Sequence, residues 1–197
     1  MRSEPFLWIH LAGIAAVPLF LQVAWLGLAI GSPLPLIWLE YIFLAAIAVI
    51  PVLWMQWSRP FDIFSLLVVA LKPGNLTPEQ LKILALFRTP KHKLITLLGA
   101  VLFLGLAYTI YQIAPLAASK VAFLPQWRLL GLSIAGVGFL SSHLFLQVPL
   151  GVLGVLSTKP EKFNTVEPIP AEVVPALFSV LGFKVNKIGT GMNLSEP

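Results

Sequence analysis

The chain has no cysteine, which excludes disulfides, thiolate metal sites and cysteine nucleophiles. It is also poor in charge. Only 11% of its 197 residues are Asp, Glu, Lys or Arg, against roughly 25% in an ordinary soluble domain. No hydrolase, kinase, dinucleotide or zinc motif occurs. The three histidines do not fall at metal-ligand spacing with any carboxylate, and Asn164-Thr165 does not complete a glycosylation sequon. Neither a catalytic set nor a metal site is expected, and the chain reads as a non-enzyme. What it does contain is apolar surface, at 58% of residues. A soluble fold of this length could not hide that much, so the composition places the chain in the membrane class. The net charge of +5 lies between long apolar runs. It therefore points to topology and lipid contact rather than to nucleic acid.

A helix needs roughly 20 apolar residues to cross the hydrocarbon. Four runs qualify: about 6–30, 34–57, 94–113 and 129–156. The first is about twice the length of a signal-peptide core, so it is read as a retained span. The last is long enough to require tilt or a kink. Gly31-Ser32-Pro33 makes a tight turn that pairs the first two spans as a hairpin. The expected fold is an all-α, four-helix integral membrane protein, with a transmembrane domain over 1–156 and a polar tail over 157–197.

The connection over 58–93 is expected to lie at the membrane surface. Phe61, Ile63, Phe64, Leu66, Leu67, Val68 and Val69 form an apolar stretch too short to span, read as interfacial or re-entrant. Pro73-Gly74-Asn75 ends it. Thr77 then caps a short amphipathic helix, with Pro78 at its first position and Gln80 three residues after the cap. The tail holds five prolines, four lysines and four glutamates around one apolar island, Val173 to Leu181. A short helix is expected near 175–181, docked on the protein's own membrane surface or on a partner.

Lys and Arg set the orientation. The N-terminus, the middle connection and the tail carry eleven of them, from Arg2 to Lys187, against Lys120 and Arg128 on the other side. Both termini are thus expected on the cytoplasmic side. Trp8, Trp54 and Trp57 fall near the basic interface, and Trp25, Trp38 and Trp127 near the other, as an aromatic belt requires.

Polar side chains within spans need a reason. In the fourth span Gly136, His143, Gln147, Gly151 and Gly154 recur at spacings of 7, 4, 4 and 3, so they share one helix face. The favoured reading is a helix-packing face, with small residues admitting a neighbour and His and Gln bonding across it. The sharper reading makes His143, near the middle of its span, an imidazole ligand to chlorophyll or another pigment or haem; a proton relay is a third. His10, one turn inside the basic interface, is a second candidate ligand, with an interfacial role favoured. It lies about 18 Å along the helix from Gln22, so the two cannot share a site. Glu40 lies two turns inside the far side, where Arg128 and Lys120 are the available cations; a buried Glu40–Arg128 pair is expected, with an ion or proton site as the alternative. Leu-Phe-Leu-Gln-Val occurs at both Leu19–Val23 and Leu144–Val148, a weak repeat signal. Pro18, Pro51 and Pro149 each free a carbonyl inside a span, and Gly27-x-x-x-Gly31 is a candidate close-packing site.

Three further strings carry a likeness. They are Arg2-Ser3-Glu4-Pro5-Phe6-Leu7-Trp8-Ile9-His10, Arg59-Pro60-Phe61-Asp62-Ile63-Phe64 leading to Val69-Ala70-Leu71-Lys72-Pro73, and Leu76-Thr77-Pro78-Glu79-Gln80. Over roughly residues 2–156 the chain resembles a family of cyanobacterial membrane proteins named for a low-complexity tail. The tail here is short and not strongly repetitive, which departs from that name. The resemblance implies a thylakoid location and an accessory or assembly role beside a photosynthetic complex, photosystem II first. It implies photosystem subunits and lipid as partners, with chlorophyll or carotenoid as candidate cofactors. It assigns no functional residue. The competing function is a small oligomeric transporter or channel lined by Glu40, His143 and the helix prolines.

Overall fold

The computed structural model describes residues 1–66 and 68–186. Leu67 of the short apolar stretch and Lys187 of the basic count lie outside the described residues. Among the described residues, four helical spans are long and apolar enough to cross a membrane: Pro5–Leu28, Ile37–Ser58, Pro90–Gln112 and Arg128–Leu156.

The first span is two helices, α1 (Pro5–Ala12) and α2 (Ala16–Leu28), joined by a 3-10 turn at Gly13–Ala15. Pro18 accounts for the interruption: its ring crowds the carbonyl four residues back, on Ile14, and it donates no N–H. Gly31 then turns the chain with φ 73°, a conformation L side chains rarely adopt. The second span is α3 (Ile37–Ser58), with Pro51 inside it. The third is α5 (Pro90–Gln112). A short α6 (Ala118–Val121) follows on the far side. The fourth, α7 (Arg128–Leu156), has 29 residues, about 43 Å at 1.5 Å per residue, which exceeds a ~30 Å hydrocarbon core.

Helix α7 is the hub and packs against α2, α3 and α5. Its closest neighbour is α2. A Cβ on Gly27 would lie 2.6 Å from the Ala135 backbone nitrogen, one on Gly131 2.6 Å from the Gly27 carbonyl oxygen, and one on Gly138 2.6 Å from the Ala24 nitrogen. Only glycine permits that approach. The two Leu-Phe-Leu-Gln-Val strings meet here too, with the Phe20 and Phe145 rings stacked at 5.4 Å.

The middle connection and the tail differ most from expectation. The short apolar stretch contains two strands, β1 (Ser65–Leu66) and β2 (Val69–Leu71), an antiparallel pair in which Ser65 faces Ala70. Asp62 sets the bend, its Oδ1 accepting the Phe64 N–H at 2.9 Å. The apolar side chains of Phe61, Ile63 and Phe64 are buried in protein. Helix α4 (Pro78–Leu86) begins as expected, with a capping box between Thr77 and Gln80. In the tail come α8 (Pro160–Asn164), α9 (Val174–Leu177) and β3 (Phe183–Val185). Strand β3 joins β2 in parallel, Ala70 facing Lys184, which completes a three-stranded sheet.

The tail island thus folds as one helical turn followed by extended chain, rather than as a helix over 175–181. It docks on the protein itself. Val174 and Phe178 are fully buried among Phe6, Leu7, Phe64, Leu84, Phe87 and Val155. Arg59 donates to the carbonyls of Pro175 and Phe178 at 2.8 and 3.0 Å, and Arg88 to that of Leu177 at 3.1 Å. Two cations counted toward topology therefore also hold the end of α9, where carbonyls lack helical partners. The N-terminus, the middle connection and the tail form one cap at one end of the bundle, to which the Met1 amino group adds a 3.5 Å contact with Glu79.

Candidate functional site

Two polar layers cross the bundle. At the far end, Glu40 and Arg128 form the expected pair: Arg128 Nε donates to Glu40 Oε1 at 2.7 Å, and its Nη2 bonds Oε2. Tyr111 donates to Oε2 at 2.5 Å, and the Leu34 N–H to Oε1 at 2.9 Å. Arg128 Nη1 also reaches the carbonyls of Leu28 and Ile30, at 2.7 and 3.1 Å. Glu40 is almost wholly buried. One guanidinium therefore ties the end of α2 and the start of α3 to the start of α7. A fork of five donors suits that task, as an ammonium does not. A carboxylate with four donors around it is a clamp, not an open ion site.

The second layer lies mid-bundle. His143 is fully buried, its ring stacked on Phe103 at 4.6 Å. Its Nδ1 lies 2.9 Å from the Ala48 carbonyl and its Nε2 2.9 Å from Gln147 Nε2. Gln147 Nε2 also donates to the Thr96 carbonyl at 2.9 Å. The donors fix the tautomer: Nδ1 carries the proton for Ala48, and the Nε2 lone pair accepts from Gln147. Ala48 is adjacent to Ile47, the carbonyl that Pro51 leaves without a helical donor. Helix α7 is thereby stitched to α3 and α5 through two side chains.

This arrangement occupies both ring nitrogens of His143. A metal or magnesium ligand needs a ring lone pair directed at open space, and here both nitrogens are engaged. The expected face is otherwise a packing face in geometry: Gly151 admits His92 and Phe87, Gly154 admits Ile95, and Gly136 lies opposite Leu44 and Ile47. The tighter stripe is a different one, Gly131, Ala135, Gly138 and Ser142, which faces α2. Its spacing of 4, 3 and 4 was there to be read.

His10 lies at the cap end. Its Nδ1 is 2.8 Å from the Phe6 carbonyl and its Nε2 3.1 Å from that of Ser65. Both neighbours are acceptors and a neutral ring donates through one nitrogen only, so His10 links α1 to β1 through whichever carbonyl takes its N–H. Beside it, His10, Phe61, Phe145 and Pro149 help to line an apolar recess of about 200 Å³. Outside the spans, Asp62 is almost wholly buried and its Oδ2 has no partner among the described residues. Burial pushes this carboxyl up to about 6. Glu4, also outside the spans, is raised by burial as well, against a bond from Gln80.

No curated protein matches the chain, and no solved structure does. The family model described as low-complexity tail membrane protein-like matches residues 3–190. That match runs past the fourth span and through β3, so it takes in the docked tail as well as the bundle. The chain is an integral membrane protein with four membrane-crossing helices, and it belongs to the low-complexity tail membrane protein-like family.

Proposed function

We propose that this protein is a non-enzymatic accessory or assembly subunit of a larger membrane complex, in the thylakoid and beside photosystem II, with its capped end and both termini on the cytoplasmic side. One observation carries the reading. The polar groups that a transporter would use, Glu40, Arg128, His143 and Gln147, are engaged with one another and with neighbouring helices. A substrate path would have to break bonds that hold the bundle together. What remains for function is the exterior: the lipid-facing helix surfaces and the folded cap. Photosystem subunits are the proposed partners, and the recess beside His10 is the proposed contact for a carotenoid chain or a chlorophyll tail, held by apolar surface rather than by ligation.

The test is affinity isolation of the tagged chain in a gentle detergent, with mass spectrometry and an absorption spectrum. Photosystem proteins enriched over an unrelated tagged membrane protein support the proposal. A lone, pigment-free chain refutes it. Ion or solute flux in proteoliposomes that is abolished by Glu40→Gln would favour the transporter reading.

A further inference from the structure

Where α5 begins and α7 ends, the bundle opens into a recess of about 150 Å³. Its wall includes Lys91, His92, Ser157, Thr158, Lys159 and Lys162, and among the described residues no carboxylate lines it. Three features converge there. The first turn of α5, a 23-residue helix capped by Thr89, presents the positive end of its dipole. Lys159 and Lys162 flank the opening. Lys91 is held in place by bonds to the Gly154 carbonyl at 3.0 Å and Ser157 Oγ at 2.8 Å. The fourth feature is independent of charge. His92 is only 4% exposed, and its Nε2 has no hydrogen-bond partner among the described residues. Buried polar atoms are rarely left so. Gly151 makes room for this ring, since a Cβ there would lie 2.8 Å from His92 Cε1.

We propose that this recess binds the phosphate or sulfonate headgroup of an anionic lipid. An anion of that kind is matched by lysines, hydroxyls and a helix N-terminus together. The position selects the lipid as its source. The recess lies at the ends of two spans, where headgroups meet the hydrocarbon, and it opens beside the apolar side chains of Leu86 and Ile95. The bound anion would join α5, α7 and the start of the tail.

The full chain, stripped of lipid in a neutral detergent, tests this by thermal unfolding followed through tryptophan fluorescence. Micelles doped with phosphatidylglycerol should raise the Tm, and those doped with phosphatidylcholine should not. Lys159→Gln/Lys162→Gln should weaken the phosphatidylglycerol effect about thirtyfold in concentration, at roughly 1 kcal/mol per lysine near an anionic headgroup. Lys72→Gln/Lys184→Gln, outside the recess, should leave it intact. Inorganic phosphate that reproduces the shift would support the anion site with a soluble source. Native mass spectrometry of the wild-type chain, counting retained phosphatidylglycerol, gives a reading that does not depend on any variant folding. No shift and no retained lipid, or a shift lost equally in both double variants, overturns the proposal.

Discussion

Replacing Gly27 with alanine should destabilise the bundle more than any other single methyl group added to α2. The new Cβ would sit 2.6 Å from the Ala135 nitrogen and 2.9 Å from the Gly131 carbonyl oxygen. Ordinary contact begins at 3.4 Å, so the shortfall is about 0.8 Å (3.4 less 2.6). Both opposing atoms are backbone, and no rotamer change can relieve them. Helices α2 and α7 must therefore move apart, with loss of dispersion contacts along their whole interface. Overpacking of this kind costs about 1–3 kcal/mol. Gly105→Ala supplies the control. A Cβ there meets nothing within 4 Å, and the change gains up to about 1 kcal/mol of helix propensity. The two variants should thus differ by about 1–4 kcal/mol in opposite directions from wild type. Unfolding titrations in mixed micelles, followed by tryptophan fluorescence, measure it. Equal stability of Gly27→Ala and Gly105→Ala would refute the close α2–α7 contact.

Three further outcomes follow from the polar layers and the cap. Glu40→Leu should destabilise by about 3–5 kcal/mol, because it leaves a buried guanidinium unpaired; Glu40→Leu/Arg128→Met should recover part of that loss in the same titration, though not the bonds to Leu28 and Ile30. His143→Leu should cost about 1–3 kcal/mol by stranding Gln147, His143→Leu/Gln147→Leu should cost less, and any pigment absorption of the isolated complex should survive both. Asp62→Asn should stabilise the chain at pH 8 by up to about 3 kcal/mol and have no effect near pH 3.5. The sign follows from the folded carboxyl being raised from 3.8 to about 6. Between those values the folded state holds the proton more tightly than the unfolded one, so stability falls as pH rises through that window. Unfolding across pH 3.5–8 checks it, and a wild-type stability that rises between pH 4 and 6 would contradict it.

The spans were legible because twenty apolar residues admit one solution in lipid. The ion pair was legible because charge is scarce there, and Glu40 had few cations within reach. The cap was not. Strands of two or three residues are too short to display a period of two, and β2 pairs with β3 more than a hundred residues away. Such a partner leaves no local mark on either segment. His92 was missed for a different reason. Lys91 and Lys93 made the stretch read as flanking charge, so the third span was begun at Leu94. Yet Thr89-Pro90 carries the same cap and first-position signal as Thr77-Pro78, and it starts α5 four residues earlier. On α7 the face carrying Gly136, Gly151 and Gly154 lies against α3 and α5. The closer approach runs along Gly131 and Gly138, whose partners on α2 are Gly27, marked by its Gly27-x-x-x-Gly31 spacing, and Ala24, an ordinary member of an apolar run.

In the proposed role the bundle is closed inside and acts through its exterior within a larger assembly. Native electrophoresis of gently solubilised membranes, probed for the tagged chain, tests it most directly. The chain should migrate with a complex far larger than itself, and Glu40→Gln/Arg128→Gln should alter its abundance without opening any ion conductance. Migration as a free chain or a small homo-oligomer, together with a conductance in reconstituted bilayers, would contradict it.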